Sequence, residues 1–449
     1  MVALQAKEGN KMKFYDREKE LKQLRDIEQA SFSSARFTVV SGRRRVGKTT
    51  LIREAYKDTP MLYFFVGRKA EAELCQSFAH IAEEALGLPF GEYSRFGELF
   101  RAIMMLARER HITLVIDEFQ EFYRINPSVF SDMQNLWDQY HTEASINLVV
   151  CGSANTLLNK IFRNAKEPLF GRQTDMMKVR PFTPSVLKAI MNDLNPTFTH
   201  DDLLTFYMLT GGVAKYVQTL SHNRLDKDAM LDTVFEDDSI FLTEGKNLLI
   251  EEFGKDYGKY FSILSLIAQG HNTRGEIEDM LHFEIGGYLS RLTEDYELVG
   301  KQQPLFEKSA NKNVRYAIDD QLLRFWFRYI YKYDYIIEAG AKEKLKLMVA
   351  KDYPTFSGKA LEDYFRGLMK ESGEYTRLGY WHDRRGENEI DIIGEDAFAS
   401  RLTFIEVKRQ ECNIDYSILR SKASHFLQSV KHDFSHYTFD YQGLSLDDM

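Results

Sequence analysis

Residues 42–49 carry the clearest chemical signal in the chain. They read GRRRVGKT, which agrees with the pattern G-x-x-x-x-G-K-[S/T] of a phosphate-binding loop at every fixed position. Gly42 and Gly47 let the backbone turn closely around a phosphate, and the amides that follow point at it from the N-terminus of a helix, where anions are favoured. The pattern predicts that Lys48 contacts the β- and γ-phosphates and that the Thr49 hydroxyl is a ligand of Mg²⁺.

The residues around this loop have the composition that the motif requires. The stretch Phe37–Val40 before it is apolar, as in a buried strand, and Thr50–Ala55 after it can continue as a helix. A strand, a glycine loop and a helix in this order are the setting of a nucleotide-binding loop. The alternative is a glycine turn that carries Lys-Thr by coincidence. We expect ATP to be bound by Gly42, Arg43, Arg44, Arg45, Val46, Gly47, Lys48, Thr49 and Thr50.

Two carboxylates follow a second apolar stretch, residues 111–116 (HITLVI). Asp117, at the C-terminal end of a predicted strand, is placed to hold Mg²⁺ directly or through water. Glu118 can act as the general base that polarises the attacking water. The alternative is a strand end with acidic, solvent-facing residues. The loop upstream favours the catalytic interpretation, in which Lys48 and Glu118 serve ATP hydrolysis.

Three further polar residues of this half have two interpretations each. Ser153 and Asn155 follow the apolar stretch 147–151, and they either sense the γ-phosphate or begin a helix as N-cap residues. Arg172 is either an arginine that compensates the charge of the transition state, in cis or in trans from a second copy, or one half of a surface ion pair. The sequence leaves both questions open.

The elements that must position these residues alternate between apolar stretches and helical patterns. This alternation predicts a parallel sheet covered on both faces by helices. The predicted strands are Phe37–Val40, Met61–Phe65, Ile112–Ile116, Asn147–Cys151 and Met177–Arg180, and the predicted helices are Ala70–Ala85, Arg95–Arg110 and Pro127–Tyr140.

Beyond residue 182 the pattern changes twice. Residues 183–254 are helical and are interrupted by Gly211-Gly212, as in a lid behind a nucleotide-binding core. Three helices and two short strands then spell a winged helix-turn-helix, with helices at 260–268, 273–281 and 285–295 and strands at 298–302 and 314–318. The third helix has Arg291 against four acidic residues, so it would repel phosphate. We therefore expect the winged helix to pack against other domains. We also expect the aromatic run 325–335 to be buried.

The last segment contains a second candidate site. Asp391 lies in one apolar stretch, and Glu406 and Lys408 lie in the next. Glu406 and Lys408 are two residues apart on a predicted strand, so they face the same side. Asp391 on the neighbouring strand can join Glu406 in holding Mg²⁺, which leaves Lys408 to orient or activate water. The alternative is a half-exposed edge strand with a cross-strand ion pair.

Other residues of this segment extend the candidate site. Glu362, on a predicted helix at 359–370, would complete the metal shell, and a turn is predicted at 394–399. A nuclease also needs a path for phosphates. The basic candidates are Arg384, Arg385, Arg409 and Lys422, of which Arg384 and Arg385 can equally be solvated loop residues.

Length and composition limit the class of protein. A chain of 449 residues is too long for one core and predicts two to four domains. The net charge of −8 argues against a chain that coats nucleic acid by bulk charge. Three widely spaced cysteines predict free thiols in a reducing compartment. With neither a secretory signal nor an apolar stretch long enough to span a membrane, we expect a cytoplasmic protein.

Several of these motifs together resemble the archaeal and bacterial P-loop ATPases of the AAA+/STAND type. The segments are residues 14–21 (FYDREKEL), 42–50 (GRRRVGKTT), 116–119 (IDEF) and 211–216 (GGVAKY). Members of that family pair the ATPase with a winged helix and a C-terminal domain of nuclease-like fold. The resemblance implies that Arg17 lies near the nucleotide and that Gly-Gly opens a lid helix with Lys215 as a candidate sensor. The family usually has proline where this chain has Ala214.

These observations predict an α/β protein of four domains. They are a P-loop ATPase core with an AAA+-like parallel sheet at 1–182, a helical lid at 183–255, a winged helix-turn-helix at 256–340 and a restriction-endonuclease-like PD-(D/E)xK domain at 341–449. Asp391 followed by Glu406-x-Lys408 resembles the D…E-x-K core of such nucleases. We expect ATP and Mg²⁺ as cofactors and ATP-dependent control of the nuclease-like domain, acting on DNA or another nucleic acid. The alternative is a regulatory switch with protein partners, or copies of itself, and a catalytically silent C-terminal domain.

Overall fold

The computed structural model describes residues 4–5, 12–153, 155–306, 314–383 and 386–449. It divides into two compact units at the Pro181–Phe182 peptide bond. Arg384 and Arg385, the basic loop residues predicted above, lie outside the described residues.

The first unit is an α/β sandwich built on a parallel sheet. Its strands are β1 (Leu4–Gln5), β2 (Met12–Lys13), β3 (Arg36–Ser41), β4 (Met61–Phe65), β5 (Ile112–Asp117), β6 (Ile146–Cys151) and β7 (Asp175–Lys178). Its helices are α1 (Glu18–Ser31), α2 (Lys48–Ala55), α3 (Glu71–Leu86), α4 (Phe96–Leu106), α5 (Phe122–Ile125), α6 (Ser128–Tyr140) and α7 (Asn155–Arg163), with a 3₁₀ turn at Phe119–Glu121. The short β1 and β2 pair with each other, and the other five strands form one sheet in the order β4-β5-β6-β3-β7.

The five predicted strands are therefore confirmed, as is the parallel sheet. The last strand begins two residues earlier than expected, because Asp175–Lys178 pairs with 38–41 of β3. Every residue of β5 and β6 is buried. On one face of the sheet Phe37, Leu114 and Leu148 pack into a core with the aromatic residues of α3 and α4. On the other face Val40, Val115 and Val149 pack against α1 and α2.

The second unit begins with helices. They are α8 (Pro184–Leu194), α9 (His200–Thr210), α10 (Ala214–Leu220), α11 (Lys227–Phe235), α12 (Ile240–Phe253), α13 (Tyr257–Ala268), α14 (Arg274–Leu281) and α15 (Gly286–Ser290). Strands β8 (Val299–Gln302) and β9 (Arg315–Ile318) follow and form an antiparallel pair. This gives the predicted three helices and hairpin, but the third helix changes to π-helical geometry at Arg291–Asp295.

The chain then runs through α16 (Gln321–Phe325), a π-helical turn at Trp326–Ile330, and α17 (Asp334–Glu338). The prediction that the aromatic run is buried is confirmed for its first half only: Phe325, Trp326, Phe327 and Tyr329 are buried, whereas Tyr331 and Tyr335 are exposed. The following helix, α18 (Lys342–Ser372), is much longer than the predicted 359–370.

The C-terminal part of this unit is a mixed four-stranded sheet. It contains β10 (Arg377–His382), β11 (Glu389–Asp396), β12 (Arg401–Val407), α19 (Tyr416–Ser429) and β13 (Thr438–Leu444). The strand order is β10-β11-β12-β13, in which the first three strands are antiparallel and β13 is parallel to β12. The prediction of a turn over 394–399 was wrong at its start, because Gly394 pairs with Thr403 inside the ladder. The turn lies instead at residues 397–400.

Candidate functional site

The loop between β3 and α2 has the geometry that its glycines predict. Gly47 has φ 95° and is the N-cap of α2, and Gly42 has φ 152°. A Cβ atom on Gly42 would lie 2.5 Å from the carbonyl oxygen of Val179. Both positions therefore need glycine, one for its backbone conformation and the other also for the close approach of a neighbouring chain segment.

Lys48 lies inside this loop and is buried. Its Nζ donates hydrogen bonds to the carbonyl oxygens of Gly42 (2.8 Å) and Arg43 (2.9 Å). The ammonium group is thus held where the loop encloses it, which places a positive charge beside the amides at the start of α2. This is an arrangement suited to a phosphate group.

The predicted metal ligands Thr49 and Asp117 are in direct contact. The Thr49 hydroxyl donates to Asp117 Oδ2 over 2.8 Å, and Asp117 is buried at the end of β5. A hydroxyl and a carboxylate oxygen at hydrogen-bond distance are the hard oxygen ligands that Mg²⁺ prefers. These residues therefore fit the divalent cation that the motif implies.

Three further groups donate to the Asp117 carboxylate. They are the Tyr63 hydroxyl from β4 at 2.5 Å, the Cys151 thiol from β6 at 3.0 Å and the backbone amide of Glu118 at 2.9 Å. Burial, together with the charge of Asp117, raises the pKa values of both Tyr63 and Cys151 above their ordinary values. Both groups therefore remain protonated donors at neutral pH. Neither residue was predicted from the sequence, although each lies on a strand that neighbours β5.

Glu118 is held next to this cluster in a left-handed backbone conformation, with φ 54°. Its carboxylate accepts hydrogen bonds from the Gln120 side-chain amide and, over 3.1 Å, from the Ser153 hydroxyl. Ser153 is therefore in contact with the predicted general base. Asn155 begins α7, and its side chain lies outside the described residues.

The two arginines predicted to lie near the nucleotide have different surroundings. Arg17 is buried, and it donates to the carbonyl oxygen of Arg180 over 2.5 Å and to Glu20 over 3.3 Å. It thereby holds the chain next to Val179, the residue that packs on the loop glycine. Arg172 forms an ion pair with Asp138 of α6 over 3.0 Å, which is the surface-pair interpretation within a single chain.

The second predicted site also comes together, on β11 and β12. Lys408 Nζ lies 2.7 Å from Glu406 Oε1 and 3.4 Å from Asp391 Oδ2. Both carboxylates are buried, and Asp391 Oδ2 also accepts the Val407 amide over 2.8 Å. The prediction of a strand through Lys408 was wrong by one residue, because β12 ends at Val407.

Lysines surround the acidic residues of this second site. Lys359 lies 2.6 Å from Glu362 on α18, and Lys422 of α19 lies 3.1 Å from each oxygen of Glu406. Burial raises the pKa of Glu362 to about 7 despite the opposing effect of Lys359, and burial also raises the pKa of Asp391. Over the described part of the chain, no group of three or more His, Cys, Asp or Glu side chains has the spacing of a metal site.

Arg409 does not lie in a phosphate path, contrary to the prediction. Its guanidinium group pairs with Asp201 over 2.6 Å, donates to the Ser357 hydroxyl over 2.6 Å, and lies over the Tyr353 ring. These contacts join the end of β12 to α9 and α18, so Arg409 is a packing residue. In the winged helix, Arg291 donates to the Tyr260 hydroxyl over 3.3 Å, as expected of a helix used for packing.

A half-buried network of charged residues next to the second site was not predicted. Asp363 of α18 binds Arg324 over 2.8 Å and Arg366 over 2.9 Å. Arg366 in turn donates to the carbonyl oxygen of Asp391 over 3.1 Å, and Arg324 donates to the carbonyl oxygen of Ile318 at the end of β9. Charged residues spaced along separate segments give no sequence signal for such a network.

Comparisons with known proteins agree with the first site. Residues 14–220 match a family described as an ATPase domain predominantly from Archaea, and residues 326–426 match a family of archaeal and bacterial proteins of unknown function. An uncharacterized protein of Methanocaldococcus jannaschii is 29% identical over 409 residues, which cover 88% of this chain and 87% of its own.

Solved structures extend the comparison to the fold. The Walker-type ATPase PABY2304 of Pyrococcus abyssi is similar with a TM-score of 0.54 at 20% identity, over 70% of this chain and 96% of its own. The ORC2 protein of Aeropyrum pernix has a TM-score of 0.47 at 14% identity, over 75% of this chain and 98% of its own. The match of residues 14–220 to an archaeal ATPase domain confirms the predicted resemblance to archaeal P-loop ATPases, and the similarity to PABY2304 confirms the predicted fold class. Among the helices described, none is both long and apolar enough to cross a membrane.

Proposed function

With an ATPase domain at residues 14–220 as the premise, we propose that the first unit binds ATP with Mg²⁺ through residues 42–50 and Asp117 and hydrolyses the γ-phosphate. The observation that carries this proposal is the 2.8 Å contact between Thr49 and Asp117 beside the enclosed ammonium group of Lys48. Bound Mg²⁺ would supply charge neutralisation at the phosphates.

Each residue has a distinct part in this proposal. Lys48 binds the β- and γ-phosphates, and Thr49 and Asp117 hold the cation. Glu118 orients and deprotonates the attacking water, and the hydroxyl of Ser153 fixes the carboxylate that does so. Arg17 stabilises the loop indirectly, because it donates a hydrogen bond to the carbonyl oxygen of Arg180, next to the residue that packs on Gly42.

The experiment compares ATP binding and phosphate release in the wild type, Lys48→Ala and Glu118→Gln. Lys48→Ala should lose nucleotide binding, because the loop then lacks its cation. Glu118→Gln should bind ATP with little change and lose turnover by at least about a hundredfold, because the amide cannot accept the proton. Normal turnover by Glu118→Gln would show that Glu118 is not the general base. Normal ATP binding by Lys48→Ala would show that the loop at 42–50 is not the nucleotide site.

We propose further that the C-terminal site cleaves phosphodiester bonds with a divalent cation under control of the nucleotide state. The supporting observation is that Asp391, Glu406 and Lys408 meet at the ends of two adjacent strands. Mg²⁺ is commonly held by one or two carboxylates with substrate phosphates completing its shell, so this pair fits a cation that arrives with its substrate. Asp391 and Glu406 would hold the cation, and Lys408 would orient the water.

DNA with Mg²⁺ or Mn²⁺ tests this second activity. Cleavage by the wild type, and its loss in Asp391→Ala and Lys408→Ala, would support a nuclease. Equal results for the wild type and both variants would leave the other candidate, a STAND-type switch that exchanges protein partners or assembles with itself. The mass of the protein in solution with and without ATP would then decide whether Arg172 can act in trans.

A further inference from the structure

Lys422 contacts the second candidate site from a different element than Lys408 does. It lies on α19, and its ammonium group is 3.1 Å from both Oε1 and Oε2 of Glu406. Only 18% of its side chain is exposed, and Glu406 is 8% exposed at the side chain. Lys408 already contacts Oε1 of the same carboxylate over 2.7 Å. One buried carboxylate is therefore shared by two ammonium groups.

The four charged side chains in direct contact around Glu406 balance without any added ion. Asp391 and Glu406 contribute two negative charges, and Lys408 and Lys422 contribute two positive charges. A divalent cation bound by both carboxylates would leave an excess of positive charge in a poorly solvated place, which is unfavourable. One lysine must therefore move away when a cation binds.

The contacts distinguish the two lysines. Lys408 bridges both carboxylates, and its backbone amide is fixed to the carbonyl oxygen of Leu444 over 2.9 Å. Lys422 reaches Glu406 alone from across the helix–sheet interface. The four-carbon stem of a lysine rotates readily, so Lys422 can leave Glu406 without disturbing the strand.

We propose that Lys422 is a second working lysine of this site, a prediction that rests on the phosphodiesterase function proposed above. It holds Glu406 while the cation is absent, yields both oxygens when a divalent cation binds, and then contacts a non-bridging oxygen of the phosphodiester. In this scheme the contact between Lys422 and Glu406 is replaced by two new contacts, one between Glu406 and the cation and one between Lys422 and the phosphodiester.

Calorimetric titration of the full chain with Mn²⁺, in the absence of nucleotide, tests the first half of this exchange. Lys422→Met removes the competing charge and keeps most of the apolar stem, so Mn²⁺ should bind about tenfold more tightly. Arg420→Met is the matched control, because Arg420 lies on the same helix, is exposed, and contacts the Tyr441 ring. This control should bind Mn²⁺ as the wild type does. Unchanged or weaker Mn²⁺ binding by Lys422→Met would overturn the proposal.

Affinity for a double-stranded DNA oligonucleotide in Ca²⁺ tests the second half. Lys422→Met should bind the DNA at least about tenfold more weakly because a phosphate contact is lost, whereas Arg420→Met should change little. DNA affinity equal to that of the wild type would overturn this half. Unfolding temperatures of both variants within a few degrees of the wild type would show that folding is intact, and Lys422→Gln replaces Lys422→Met if its unfolding temperature falls further.

One more variant separates the two proposals. If Asp391→Ala leaves the Mn²⁺ titration unchanged, the carboxylate pair holds no cation and both the phosphodiesterase function and the exchange by Lys422 are wrong. If Asp391→Ala abolishes Mn²⁺ binding while Lys422→Met behaves like Arg420→Met, only the inference about Lys422 is wrong.

Discussion

The two candidate sites of this chain both use carboxylates at strand ends, but they surround them with different donors. Asp117 of the first site accepts hydrogen bonds from four uncharged groups, namely Thr49, Tyr63, Cys151 and the amide of Glu118. Glu406 of the second site lies between two lysines. Uncharged donors hold a carboxylate in place and leave its negative charge for a cation, whereas lysines neutralise that charge.

This difference implies two different relations to a cation. In the first site Thr49 and Asp117 would hold Mg²⁺, and no charged side chain has to leave Asp117 for this. The second site must release a charged side chain first. We therefore expect the first site to bind its cation whenever nucleotide is present, and the second to bind a divalent cation weakly on its own and more tightly once a phosphate has arrived.

The largest expected effect concerns the charge of Asp117. Asp117→Asn keeps the shape of the side chain and removes the negative charge, so ATP hydrolysis should fall by at least about a hundredfold while nucleotide binding persists. Phosphate release and binding of a fluorescent ATP analogue measure the two quantities. Asp132→Asn, at an exposed ion pair with Arg95, is the control and should hydrolyse ATP normally. If Asp117→Asn hydrolysed ATP close to the wild-type rate, the negative charge of Asp117 would not be needed for the cation, and the proposed difference between the two sites would be wrong.

The second prediction compares this carboxylate with Asp363, which lies below the second site. Burial alone would raise the pKa of Asp363, but Arg324, Lys359 and Arg366 lower it well below its ordinary value. Asp363→Asn would leave two arginines without their buried partner, and we expect the free energy of unfolding to fall by about 3–5 kcal/mol. Asp117→Asn should change it far less. Chemical denaturation measures the free energy of unfolding of both variants. Equal decreases for Asp363→Asn and Asp117→Asn would show that the two carboxylates contribute equally to stability.

The third prediction concerns Tyr63, whose hydroxyl is one of the uncharged donors. Hydrogen bonds to a charged group contribute about 1.5–3 kcal/mol, and part of this should appear as a three- to tenfold rise in the Mg²⁺ concentration that half-saturates ATP hydrolysis by Tyr63→Phe. The ring, over which Arg53 lies, is retained. Tyr56→Phe removes a hydroxyl that contacts Leu24 and Asn147 and should leave that concentration unchanged. A shift of equal size in both variants would assign the effect to packing.

A site can be predicted from the sequence when its residues lie in one segment or in adjacent strands, and less well when they come from distant elements. The loop at 42–49 is one continuous motif, so its glycine turn and the position of Thr49 beside Asp117 were predictable. The contacts of Lys48 with two loop carbonyl oxygens were not predicted. Asp391, Glu406 and Lys408 were predictable because the alternation along two adjacent strands places them on one side. Tyr63 takes part through a side-chain contact between distant elements and belongs to no pattern that marks its function. Lys422 was predicted as a basic residue of a phosphate path, but its contact with Glu406 joins a helix and a strand that the sequence does not bring together. The hydrogen-bond network that links Ile318, Asp363 and Asp391 is built from three separate segments of the sequence. The periodicity of apolar residues within each segment does not show that these segments meet.

The last expected effect concerns stability alone and is a pH dependence that arises from Glu362. Burial raises the pKa of this carboxyl group from its ordinary value to about 7 in the folded protein. The folded state therefore binds more protons than the unfolded state between these values, and the stability contributed by this group is lost as the pH rises from about 4.5 to about 7.

Glu362→Gln cannot ionise, so it removes this pH dependence. Its unfolding temperature should match that of the wild type near pH 5 and exceed it at pH 8 by a few degrees, equivalent to about 1–2 kcal/mol. Glu371→Gln, an acidic residue of the same helix that accepts a hydrogen bond from Ser185, is the control and should follow the wild type at both pH values. If Glu362→Gln were less stable than the wild type at pH 8, the pair with Lys359 would outweigh the cost of burial, and the lysines of the second site would stabilise ionised carboxylates more strongly than the raised pKa indicates.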